Sequence, residues 1–163
     1  MIKHTQTKFG LKDKEGNWIQ RGNCLQYTYA SLLDLNPLDV PNFEVFYGLE
    51  DKEGNDLYEY VEHCWLKSMG YEIDRFSPVM MFHMTKEEYR EKTGDKRTDK
   101  ELNAQMHFYK DVCYLVSGKS ERGFQHICIY ANGKIAHDVY PSRAGLITED
   151  SFELLFRKTK IID

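Results

Sequence analysis

The 163-residue sequence has no Cys-x-x-Cys pair, no apolar run near membrane-span length and no excess of basic charge. Each absence removes a class. Without cysteines at ligand spacing, a zinc ribbon is excluded and no metal is expected. A spanning helix needs about 20 consecutive apolar residues, so no membrane partner is expected. The first residues, MIKHTQTKFG, lack the apolar stretch of a signal peptide, which points to a cytoplasmic protein without a disulfide framework. Lys and Arg total 22 against 26 Asp and Glu, a net charge of -4. Nucleic-acid phosphates require the opposite balance, so no nucleic-acid partner is expected. Low-complexity tracts and Pro/Gly/Ser linkers are also missing. The only internal echo is DKEGN at 13–17 and 51–55, too short for a repeat architecture.

What is there fits one domain over 1–163, with 41% hydrophobic residues to build its core. Gly22-Asn23 reads as a loop and N-cap before a helix over 22–34, on which Leu25, Tyr29, Leu32 and Leu33 recur at helical spacing. Asn36-Pro37 ends it. A second helix over 57–70 carries a stripe of Leu57, Tyr60, Val61, Cys64, Trp65 and Met69, with Gly70 as its C-terminal cap. Residues 71–76 alternate as a strand. Two polar insertions, about 11–21 and 85–110, interrupt the pattern, the latter as helical pieces around Gly94-Asp95. From 111 onward strands dominate, ending in a strand or helix-plus-strand over 151–162. The expected class is α+β, N-terminal helices packed on a C-terminal antiparallel sheet.

Four cysteines remain to be sorted. Cys64, Cys113 and Cys128 lie among apolar residues and read as packing. Cys24 sits at a helix start, where free N–H groups and the positive dipole end favour a thiolate, or else where a core cysteine begins a buried helix. A thiol nucleophile needs a histidine, and that histidine an orienting group. His126 and Asp138 meet that need if the hairpin between them closes through a three-residue loop, Ala131 to Gly133. That register sets His126 opposite Asp138 and gathers Ile127, Ile129, Ile135 and Val139 on the other face. It also turns His137 to the aliphatic face, as a packing residue.

A Cys opening a helix, a His opening a later strand and an Asp ending the next is the order of papain-like cysteine hydrolases. The segments GNCLQYTYASLLDLNPLDVPNF (22–43), SGKSERGFQHICIYANGKIAHDVYPSRAGL (117–146) and, more weakly, QTKFG (6–10) resemble small bacterial and phage proteins of that family. Bacteriocin-processing peptidases share a related Cys…His…Asp-Pro order, although here Val139-Tyr140 separates Asp138 from Pro141. The resemblance implies a papain-like fold and a hydrolase acting on a protein or peptide substrate. Its catalytic set is Cys24, His126, Asp138 and Gln6 as oxyanion donor, with Gln20 the rival donor. Asn23, Gln20, Trp18 and Gly123 are the expected substrate-side residues, with Arg143 at the same mouth, and no cofactor is implied. If the chain is phage-encoded, the resemblance puts it in the host cytoplasm.

Two other readings use the same residues. One is transglutaminase or deamidase chemistry at a glutamine carbonyl. The other is a non-catalytic binding module, such as a phage inhibitor of a host factor, presenting its insertions to a partner.

Overall fold

The computed structural model describes residues 1–75 and 77–157. It is a mixed α+β protein built on a five-stranded antiparallel sheet. The elements that matter here are the hairpin strands β1 (Leu11–Lys12) and β2 (Trp18–Gln20), helices α1 (Cys24–Leu32) and α2 (Leu57–Ser68), and strand β3 (Tyr71–Asp74). Helices α3 (Lys86–Thr93) and α4 (Asp99–Phe108) precede β4 (Tyr114–Lys119), β5 (Gln125–Ala131), β6 (Lys134–His137) and β7 (Ser151–Arg157). The sheet order is β3-β7-β4-β5-β6. The expected extensions of the strands through 76 and 158–162 lie outside the described residues. Among the described residues no helix is long and apolar enough to cross a membrane.

Alternation along the strands sends side chains to two covered faces. Leu115, Ile127 and Ile129 pack against Leu25, Tyr29 and Ala30 of α1 and Leu66 of α2. On the other face Val116, Cys128, Tyr130 and Phe152 meet Met80, Tyr89 and Leu102. Helices therefore cover both sides of the sheet, where only the N-terminal helices were expected to pack on it. The 85–110 segment accounts for the difference. Thr85 and Thr98 each form a capping box, with Glu88 and Glu101. These caps start helices that bury Tyr89 and Leu102, so the segment contributes core besides surface. The 11–21 insertion is the β1–β2 hairpin, whose strand residues are all exposed. Its turn is duplicated at 51–55. In both DKEGN copies the Asn backbone and side chain donate to the first Asp, and the Gly takes a positive φ.

Two expectations need correction. On α2 the buried positions are Glu62 and Leu66, flanked by half-buried Tyr58, Val61 and Trp65, while Cys64 and Tyr60 face solvent. The true stripe lies one residue further round the helix. Tyr29 of α1 sets it, its hydroxyl donating to Glu62 Oε1 at 2.6 Å.

The second correction is the register of β5 and β6. Asn132 and Gly133 both have positive φ, 53° and 74°, and close a two-residue turn that pairs Ala131 with Lys134 and Tyr130 with Ile135. A bulge follows, and Ile129 then pairs with His137, leaving Ala136 as the extra residue. Ile135 is thereby opposite Tyr130 and 42% exposed, away from the aliphatic face. Carried one residue further, the bulged register sets Asp138 across from Cys128 and diagonal to His126. The pair meets through a bulge, not through a longer loop.

Candidate active site

Helix α1 points its first residue at a cavity of about 620 Å³. Cys24 and Gly22 form part of its wall, Gln6 and His126 another part, and Trp18, Arg122 and Gly123 lie around it. His126 and Asp138 are both buried, and the ring's Nε2 lies 2.7 Å from Asp138 Oδ1. A carboxylate only accepts, so Nε2 carries the proton and Nδ1 is left as the basic nitrogen. Asp138 is held by two more donors, the Tyr140 N–H on Oδ1 at 2.8 Å and the Gly145 N–H on Oδ2 at 2.9 Å. Burial acts against its charge, but the His126 hydrogen bond and these two N–H groups outweigh it and keep the carboxyl below its ordinary value. Arg122 lies 3.6 Å over the Tyr140 ring, which meets His126 edge-on at a centroid distance of 6.2 Å.

Glu44 was not foreseen. Its Oε1 accepts the Leu25 N–H at 2.6 Å, so a carboxylate caps α1. Asn23, expected to cap, makes no side-chain cap bond. Its amide instead holds Lys8 N–H and Thr7 Oγ1, buried outside the cavity. Burial and the adjacent Glu44 carboxylate push the Cys24 thiol well above its ordinary value, while burial raises Glu44 as well. Burial, and then the negative neighbour at the helix end, thus oppose the thiolate that the positive helix end favours. Glu44→Gln keeps the cap and removes the charge, so Cys24 is expected to alkylate severalfold faster at neutral pH. Site-resolved mass spectrometry checks it.

The other expected site residues divide. Gln6 is 4% exposed, and its Nε2 donates to Lys8 O at 2.9 Å, near Gly22. One Nε2 hydrogen remains, and Oε1 has no hydrogen-bond partner among the described residues. Gln20 faces solvent on β2 and donates to Phe9 O, away from the cavity. Trp18 and Gly123 line the cavity. Arg143 does not; it donates to Thr5 and approaches His137. His137 is buried and donates Nε2–H to His4 O at 2.7 Å, a satisfied packing histidine.

His126, Cys128 and Asp138 bring one donor atom each within 4.8 Å of one another, a set that can ligate a cation. Both Asp138 oxygens, however, are already engaged by three hydrogen-bond donors. Burial raises the Cys128 thiol, and so does the adjacent Asp138. This donor set is built as a hydrogen-bonded unit, and a metal there would have to break it.

Tyr58, Glu62 and Glu153 also lie on the cavity and were missed. The only local signal was a glutamate four residues from both Tyr58 and Leu66, on the buried side of α2. No family model matches the chain, and neither the curated proteins nor the solved structures yield a match.

Proposed function

We propose that the protein is a papain-like cysteine hydrolase cleaving an amide or isopeptide bond in a protein or peptide substrate. The observation that carries this reading is His126, which lines the cavity into which α1 presents Cys24 and is held from behind by the buried Asp138. In the proposed reaction His126 Nδ1 takes the Cys24 proton, and the sulfur attacks the substrate carbonyl. The Cys24 N–H and the remaining Gln6 Nε2 hydrogen stabilise the oxyanion. His126 returns its proton to the leaving amine, which departs and leaves a thioester. Water then attacks the thioester, giving up a proton through His126, and the acid and the free thiol are regenerated. Asp138 stays ionised and holds the imidazole in one tautomer. Burial, with Glu44 beside it, keeps the resting thiol protonated.

Site-resolved alkylation tests the assignment. Exposed Cys64 is expected to label at the rate of a free thiol. Cys24 is expected to label in a His126-dependent manner, slowed about tenfold by His126→Ala while Cys64 is unchanged. A Cys24 rate indifferent to His126→Ala would overturn the reading. Incubation with lysate and an acyl-trapping probe then identifies the substrate.

A further inference from the structure

We propose that the cavity beside Cys24 seats a cationic side chain of the substrate, a lysyl ammonium or arginyl guanidinium, among Glu44, Glu62 and Glu153. The proposal rests on the cysteine-hydrolase reading and adds a substrate class to it. All three carboxylates line the cavity that holds Cys24. Arg75 engages Glu153 at 3.3 Å and Glu59 at 3.8 Å, whereas Glu44 and Glu62 form no ion pair among the described residues. Other basic groups of the cavity lie on aromatic rings. Lys12 and Arg21 lie on the Trp18 ring at 4.6 and 4.4 Å, and Arg122 lies on Tyr140.

An independent observation comes from Gln6. It is 4% exposed, lines the same cavity, and leaves Oε1 without a hydrogen-bond partner. Glu44 Oε2 is left in the same condition. The Gln6 oxygen can only accept, so its missing partner is a donor. Buried acceptors without donors cost stability unless a ligand completes them. Tyr47 and Tyr58 add a corner of two rings, 5.7 Å apart at 83°. Arg21 already lies 5.0 Å over the Tyr47 face, and aromatic faces beside carboxylates favour cations.

Reagent charge tests this without a known substrate. The full-length protein is alkylated at neutral pH with 2-bromoethylamine, iodoacetamide or iodoacetate. Each Cys24 rate is divided by that of N-acetylcysteine amide. Because the three reagents share one thiolate population, their ratios report the charge of the surroundings. Bromoethylamine is expected to be favoured over iodoacetate by about tenfold or more. Glu62→Gln and Glu153→Gln should each reduce that preference about threefold. The wild-type ratio is decisive even if a variant fails to fold. Equal or reversed preference, with iodoacetamide reacting normally and His126-dependently, overturns the cation site and leaves the nucleophile assignment standing. Failure of Cys24 to react with any reagent overturns both.

Discussion

Asp138→Ala is expected to cost about 3–5 kcal/mol of stability, the range for breaking a buried pair by removing one partner. It should also remove the His126 dependence of Cys24 labelling. The side chains of His126 and Asp138 are 2% and 1% exposed, so neither survivor can turn to water. Deleting the carboxylate strands His126 Nε2–H and the N–H groups of Tyr140 and Gly145, all of which it accepts, and opens space beside Cys128. Asp138→Asn preserves the volume but places an amide donor where donors already converge, so a smaller loss is expected. The pH dependence has a fixed sign. The carboxyl sits below its ordinary value in the folded protein, so its contribution is complete above the unfolded carboxyl's value and fades as pH falls through the folded one. Urea unfolding of wild type and variant should therefore differ most near neutrality and converge in acid. Equal midpoints at neutral pH would mean that the pair is not holding the hairpin together.

Much of this arrangement was legible in the sequence because it is local. The start of α1 at Cys24, the stop of α2 at Gly70 and the alternation of β5 all lie within a few residues of their causes, whereas α1 ends at Leu32, before Asn36-Pro37. His126 and Asp138 were paired correctly from an incorrect register. The aliphatic pattern demands that Ile127 and Ile129 share a face, and an extra loop residue or a bulge at Ala136 satisfies that demand equally well. Asn132-Gly133 was the signal that separated them, since both central residues of a two-residue turn adopt positive φ. Glu44 and Glu62 were not legible. Glu44 reaches Leu25 across 19 residues, and Glu62 is turned inward by a tyrosine 33 residues away. Pattern reading also assigns a charged residue to the solvent side of a helix by default, which rotated the α2 stripe by one position.

The same default hides the cost of Glu62, which a pH titration of stability exposes. Its side chain is buried against Tyr29, and its carboxyl is pushed up to about 7, first by burial and then by Glu153 and Glu59, with Tyr29 and Arg75 opposing. Ionising a carboxyl moved that far from 4.5 costs the folded state about 3 kcal/mol, at roughly 1.4 kcal/mol per pH unit. Because the folded value is raised, the favourable protonated form is fully present below the unfolded value and is lost as pH rises through the folded one. Glu62→Gln retains an acceptor for the Tyr29 hydroxyl and cannot ionise. It is therefore expected to match wild type at about pH 4 and to exceed it by about 3 kcal/mol at about pH 9 in urea unfolding. A difference between the two proteins that does not change with pH would place the proton elsewhere. A cation seated beside Glu62 would offset the same cost. Saturating wild type with a lysine-containing peptide at high pH should then close part of the gap that Glu62→Gln closes by substitution.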